Sequence, residues 1–259
     1  MTLNEPRETE RDVVIITGAG AGIGLTTANL LARNGALVVG VDVTAESIER
    51  LKTETRAEGV EALGYVQDIR DPEGVTDLVD DLRTRNLFPS ALVNVAGVGL
   101  VGAVHETSLA DWERVMGINL TGAFIMCRAV LPIMLEAGRG DIVNVASIAG
   151  VVAVRERAAY GASKSGLVGL TRAITVDYAH RGIRANAICP GTGATEFVER
   201  IVAAADDPVA TRRAMSDRQL DGRMGTPEEV AAGIAFLLSP EARFCNGSIF
   251  VMDGGVTAL

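Results

Sequence analysis

Histidine and cysteine are scarce in this 259-residue chain, with two of the first and three of the second. His105 and His180 lie far apart, so neither a histidine-rich metal centre nor a Ser-His-Asp triad is legible. Cys127, Cys189 and Cys245 are odd in number and show no CxxC spacing, which excludes a readable disulfide framework or zinc site and leaves reduced thiols as the expectation. No metal is expected. Positive charge is also short: 24 Lys and Arg against 33 Asp and Glu give a net charge of -9 and a pI near 4.9. That balance argues against a broad grip on nucleic acid phosphates or an anionic membrane, and makes a small molecule the default partner. The longest apolar candidate run, Ala91 to Val104, is broken by Asn94, so nothing approaches the roughly 18 to 20 apolar residues of a spanning helix. Residues 1–11 are polar with no apolar h-region; they read as a flexible N-terminal tail without a secretory signal, and a cytoplasmic setting follows. Lysine is the rarest charge. Only Lys52 and Lys164 are Lys among the 24 basic residues, so a retained lysine is informative.

What is present is a chain 48% hydrophobic and 22% charged, with mean hydropathy +0.26, enough to bury a sizeable core and too apolar for disorder. Short β-branched runs alternate with longer helical patterns, the arrangement of right-handed crossovers and a parallel sheet covered on both faces. Seven strands are read: 12–17, 36–42, 61–66, 91–94, 141–145, 184–188 and 248–251. Helix starts carry caps, at Ser108 followed by Asp111 and at Thr226-Pro227-Glu228-Glu229. No composition break divides residues 12–259, which are expected to form one doubly wound α/β domain of Rossmann type. The stretch from about 190 to 226 lacks a sheet element and reads as a substrate-binding loop or lid.

Thr17-Gly18-Ala19-Gly20-Ala21-Gly22-Ile23-Gly24 follows the first strand and runs into an amphipathic helix. Glycines here allow positive φ and let a pyrophosphate reach the backbone at a helix N-terminus. The second strand ends at Asp42, a carboxylate placed to accept both hydroxyls of an adenosine ribose and to repel a 2'-phosphate, with no cation at Ala21, Val41 or Val43 to receive one. NAD is therefore expected over NADP. Asp42 could instead cap the following helix. Asp68-Ile69, after the third strand, would meet the adenine edge or serve as a turn before Asp71-Pro72.

Tyr160 and Lys164 stand at i and i+4 on one helix face. With 3 Tyr and two Lys in 259 residues, such a pair arises by chance about 0.02 times. A phenol beside an ammonium is drawn toward phenolate and toward accepting an alcohol proton. A compact ammonium can also meet a ribose hydroxyl, which accounts for Lys in an Arg-rich chain.

These motifs, with Asn94-Val95-Ala96-Gly97, Asn119, Ser147, Pro190-Gly191, Thr195 and Asp253-Gly254-Gly255, make the sequence resemble the short-chain dehydrogenase/reductase family in its form of about 250 residues, along essentially the whole chain. The resemblance implies a catalytic tetrad: Tyr160 as general acid/base, Lys164 lowering its pKa and holding the nicotinamide ribose, Ser147 stabilising the reacting oxygen, and Asn119 ordering a relay water. It implies cofactor contacts from Gly18, Gly22, Ile23, Gly24, Asp42, Asp68, Ile69, Asn94, Ala96, Gly97, Pro190, Gly191 and Thr195, besides Tyr160 and Lys164. Val95 departs from the Asn common in the family, which puts only a local sheet contact in doubt. Self-association as a homotetramer is implied as well.

Arg157, Arg200 and Arg218 match in position the anion-binding arginines of a narrower group that the segment resembles, the type-2 3-hydroxybutyrate and 2-keto-3-deoxy sugar-acid (fuconate, rhamnonate) dehydrogenases. A guanidinium fork binds a carboxylate bidentately and would draw an acidic substrate to an acidic protein. The expected activity is thus NAD-dependent oxidation of a secondary alcohol in a small hydroxy acid or deoxy-sugar acid. The substrate would be held by Ser147, Tyr160, Arg157, Arg200 and Arg218. Alternatives are reduction of a 3-oxoacyl thioester, oxidation of a neutral diol or sugar, and NAD binding without turnover.

Overall fold

The computed structural model describes residues 12–203 and 205–258, with the side chains at 196, 197, 200 and 201 set aside. The expected tail at 1–11 lies outside the described residues. Strand β1 (Val13–Thr17) is VVIIT and buried throughout, the unalternating run of a strand covered on both faces. It is followed by β2 (Leu37–Asp42), β3 (Leu63–Val66), β4 (Pro89–Asn94), β5 (Gly140–Val145), β6 (Ile183–Pro190) and β7 (Ile249–Met252). All pairings among these strands are parallel, in the order β3-β2-β1-β4-β5-β6-β7. The seven-stranded Rossmann-type sheet expected from sequence is present, with its reversal of strand order between β1 and β4. Each end of each read strand falls within two residues of its place.

Helices cover both faces. On one, α1 (Gly22–Arg33) packs beside α9 (Pro227–Leu238), and Leu25, Leu31, Val230, Ile234 and Leu237 close a core over Val14, Ile16 and Val93. On the other lie α3 (Pro72–Thr84), α5 (Ala123–Ala137) and α6 (Ala158–Tyr178), where Leu78, Met126, Val130, Met134 and Ile174 meet Ile15, Leu92 and Ile142. The expected caps form. Ser108 accepts from Asp111 N at 3.0 Å ahead of α4 (Leu109–Met116), and Thr226 with Glu229 completes a capping box. Helix α2 (Ala45–Ala57) is capped by Thr44, so the capping alternative for Asp42 is not realised.

Two features differ from the reading of sequence alone. The stretch read from sequence as a loop or lid holds two short helices, α7 (Glu196–Ala203) and α8 (Pro208–Ser216), joined by the Glu199–Arg212 ion pair. The expectation that no segment reaches spanning length is also corrected. Residues Leu109–Ala137 form a continuous helical stretch of 29 residues with mean hydropathy 1.7 in its most apolar window, half of which is buried. Uninterrupted runs miss it because Asn119 and Arg128 break them. Its apolar side is a core face of α5 against the sheet.

Candidate active site

The carboxyl ends of β1, β4, β5 and β6 open onto one crevice at the strand-order reversal, where open α/β sheets bind ligands. The glycine string turns there. Gly18 has φ +65, and a Cβ on it would lie 2.9 Å from Ala96 Cα, so the loop leaving β4 packs directly against the turn. Thr17 Oγ1 fixes this approach by accepting from Val95 N at 3.1 Å and Ala96 N at 3.2 Å. Helix α1 starts at Gly22 with no side-chain cap on its N-terminus and no acidic residue in its first turn. Its first N–H groups therefore face the crevice unopposed, the arrangement that holds an anion. Gly22, at φ +50, has Thr195 Cβ as the nearest neighbour a Cβ would meet, at 3.9 Å. The two expected cofactor residues stand across an open cradle. This donor set fits a dinucleotide pyrophosphate.

Asp42 stands at the end of β2 beside the glycine turn. Its carboxylate accepts from Gly20 N at 3.0 Å and Val43 N at 2.8 Å, tying the end of β2 to the glycine turn. Asp68 is a turn aspartate that accepts from Arg70 N at 2.9 Å and pairs with the Arg70 guanidinium, which holds its carboxyl below the usual range. Ile69 is buried. Asn94 does not point into the crevice. Its amide donates to Asn144 Oδ1 at 2.8 Å and to Cys127 Sγ at 3.4 Å, and Asn144 passes the chain on to Thr171. This buried polar line joins β4, β5 and α6.

The four expected catalytic residues converge. Lys164 and Tyr160 lie on α6, with Lys164 Nζ 5.8 Å from the Tyr160 ring centroid. Ser147, just past β5, accepts from Ala149 N at 3.2 Å, and its hydroxyl reaches the Tyr160 phenol. Asn119 sits in a π-helical turn, Gly117–Gly122, set between α4 and α5. Such turns widen a helix where a site needs a side chain out of register. Its amide accepts from Val98 N at 2.7 Å and donates to Val98 O at 2.9 Å and Ser163 Oγ at 3.0 Å. A Cβ on Gly97 would lie 3.3 Å from Asn119 Oδ1 and 3.4 Å from Lys164 Nζ, so the cofactor and catalytic residues share one wall.

The electrostatics differ from expectation in one respect. Burial pushes the Tyr160 phenol up from its ordinary value, outweighing the Ser147 hydroxyl and the Arg157 charge, which pull it down. The Lys164 amine donates to Val145 O at 2.8 Å and is itself drawn down to about 8 by burial. Cys189, fully buried at the end of β6, lies close enough to Lys164 and Tyr160 to affect both.

Ser163 was not singled out by sequence. It is fully buried, accepts from Asn119 and donates to Tyr160 O at 2.8 Å, linking the π turn to the catalytic helix. Its only sequence signal is a small hydroxyl residue beside Lys164.

Of the three arginines, Arg157 lies close enough to Tyr160 and to Arg218 to feel both. Arg157 is half-buried and donates to Leu100 O and Glu156 O, each at 3.3 Å. Burial, then the Arg218 charge, draw its guanidinium below the ordinary value. Neither has an ion-pair partner among the described residues. The Arg200 side chain lies outside those described.

A family profile described as enoyl-(acyl carrier protein) reductase matches residues 18–257. A cis-4-hydroxycyclohexanecarboxylate dehydrogenase from Sinomonas cyclohexanicum is 42% identical, over 95% of this chain and 97% of its own. A 2-keto-3-deoxy-L-fuconate dehydrogenase from Xanthomonas campestris is 38% identical over 93% of this chain and 78% of its own. A D-threitol dehydrogenase from Mycolicibacterium smegmatis is 38% identical over 95% and 92%. Among solved structures, one from Beutenbergia cavernae, named for an NAD(P)-dependent gluconate 5-dehydrogenase and holding NADP at low occupancy, is similar. It superposes at TM-score 0.88 with 33% identity, over 96% of this chain and 97% of that one.

Proposed function

The chain belongs to the short-chain dehydrogenase/reductase family, whose matched members are oxidoreductases of hydroxyl compounds, and on that premise we propose an NAD-dependent dehydrogenase of a small hydroxy acid or deoxy-sugar acid. The observation that carries the acidic substrate is the pair Arg157 and Arg218. The Arg157 guanidinium feels both the Arg218 charge and the Tyr160 phenol, and among the described residues neither arginine is in a salt bridge, an arrangement that an anionic substrate would relieve. Two of the similar dehydrogenases are named for carboxylic acids, which supports the same reading. Arg200, on α7, is retained as a third member of this proposed site from its place in the sequence alone.

NAD supplies the hydride acceptor when bound. The uncapped start of α1 would hold its pyrophosphate, Gly18, Gly22, Ile23 and Gly24 giving it backbone room, while Asp42 would take the ribose hydroxyls. Asp68 and Ile69 would border the adenine, with Ala96, Gly97, Pro190, Gly191 and Thr195 around the nicotinamide half. Ser147 donates to the substrate oxygen as charge develops on it. Tyr160 takes the hydroxyl proton in oxidation and returns it in reduction. Lys164 places an ammonium beside the cofactor ribose, and Asn119 with Ser163 holds the wall behind it. With the phenol pushed up by burial, oxidation gains rate toward alkaline pH and reduction is favoured near neutrality. A homotetramer in the cytoplasm is the proposed setting, supported by the exposed Leu109, Trp112 and Val176 on α4 and α6.

The test is NADH formation from NAD and NADP across paired substrates: cis-4-hydroxycyclohexanecarboxylate with cyclohexanol, and 3-hydroxybutyrate with neutral diols. The expected result is turnover with NAD on the acids, with kcat/KM for them falling at least tenfold in Arg157→Ala and Arg218→Ala. The resemblance to a D-threitol dehydrogenase favours the second reading, a neutral polyol. Turnover confined to neutral alcohols and indifferent to both arginines would establish it instead.

A further inference from the structure

Gln219 follows Arg218 and is only 3% exposed, an unusual degree of burial for a long amide. Every polar atom of its side chain is engaged. Nε2 donates to Met215 O at 2.7 Å and to Ser216 O at 3.3 Å, collecting the last carbonyls of α8. Oε1 accepts from Thr192 N at 3.3 Å, in the loop leaving β6. The backbone around it is pinned to a third piece of chain, since Leu220 N donates to Gly254 O at 2.8 Å. A Cβ on Gly254 would lie 2.9 Å from Gln219 Cβ, so the C-terminal turn packs directly against this residue. Thr192 in turn accepts from Gly225 N at 3.0 Å, closing the base of the lid.

We propose that Gln219 is a positioning residue that fixes Arg218 in the anion site and thereby sets the preference for acidic over neutral substrates. This rests on the anion-site reading above. Arg218 is exposed and its side chain forms no hydrogen bond or ion pair among the described residues, so the anchorage of its backbone alone sets which part of the crevice its guanidinium can reach. That backbone is held at the neighbouring residue, by an amide joining the lid helix, the β6 loop and, through Leu220, the C-terminal turn. Gln219 makes no hydrogen bond to Ser147, Tyr160 or Lys164, so loss of its amide leaves the proton-transfer groups where they are.

The test uses the full-length protein and compares Gln219→Leu, Gln219→Glu and Arg218→Ala. Gln219→Leu removes the amide at similar volume. Gln219→Glu keeps the acceptor for Thr192 but loses the donors and sets a negative charge beside Arg218, and it is judged alone if the leucine variant does not fold. Binding of cyclohexanecarboxylate to the enzyme–NADH complex is measured by calorimetry. KM and kcat are then measured for cis-4-hydroxycyclohexanecarboxylate and cyclohexanol. The expected result is at least tenfold weaker carboxylate binding and a raised KM for the acid in both Gln219 variants, with kcat and the cyclohexanol KM within about twofold of the parent. If Arg218→Ala weakens carboxylate binding and the Gln219 variants do not, Gln219 has no positioning role while the anion site stands. If the Gln219 variants change both substrates equally, the residue is structural only. If the parent does not bind the carboxylate, or Arg218→Ala binds it unchanged, both the anion site and the role of Gln219 fail.

Discussion

Replacing Lys164 by Met is expected to raise stability near neutral pH while abolishing activity, and the gain should vanish as the solution is made alkaline. Lys164 is 4% exposed and its amine is pulled from 10.5 to about 8 by burial. A gap of about 2.5 units corresponds to about 3 kcal/mol of penalty for keeping the amine charged inside the fold. The unfolded chain binds that proton more tightly than the native one. Stability of the parent therefore rises with pH between about 8 and 10.5, and the penalty is fully present below about 8. Methionine has no such penalty at any pH, but it orphans the Val145 carbonyl, at a cost of about 1–3 kcal/mol that does not depend on pH. Net, the variant should match or exceed the parent by up to about 2 kcal/mol at pH 7. Relative to the parent it should then lose about 3 kcal/mol by pH 10.5. Denaturant unfolding of both proteins across this range measures the difference directly. A stability difference that stays constant with pH would refute the assignment of a buried, charge-strained amine. Turnover should fall at least about a hundredfold.

Ser163→Ala removes the hydroxyl between Asn119 and Tyr160 O without creating a cavity of note; it should cost about 1–3 kcal/mol and lower kcat with the NAD KM unchanged. Parental melting temperature and kcat together would show that the link is idle. Gly24→Ala places a Cβ 2.0 Å from Gly18 O, so the glycine turn must shift; a loss of about 3 kcal/mol or more and loss of NADH binding by fluorescence are expected. Unchanged binding would mean the turn is less tightly wound against α1 than described.

The strands were legible because parallel strands buried on both faces leave runs rich in β-branched residues, unbroken in Val13–Thr17 and interrupted only by Gly40 in Val38–Val41. The glycine turn, Asp42, Tyr160 and Lys164 were legible because phosphate approach and proton transfer demand particular residue types at fixed spacing. Other parts were not. The two helices in the 190–226 stretch escaped because they are only 8 and 9 residues long, too short for a helical period to stand out in sequence. Asn94 looked like a cofactor contact from its place at the end of β4, yet its amide turns inward to Asn144, and position along a strand does not reveal which way a side chain is spent. The direction of the Tyr160 shift was missed for a related reason: spacing gives proximity to Lys164 but not how deeply both are buried. Ser163 and Gln219 act through hydrogen bonds to backbone far away in the chain, information carried by no local pattern.

The π turn at Gly117–Gly122 makes the 29-residue helical stretch a coupling between two shafts running out of phase. Its first part, α4, is aligned on α6, and its second, α5, is aligned on α3 and the sheet. Removing one residue from the turn would leave a regular helix with its hydrogen bonds intact, yet would rotate one shaft against the other by about 100°. Either the catalytic wall or the core would then be mis-timed. The six residues are a phase setting, which is why single-residue deletions there should be far more damaging than most substitutions.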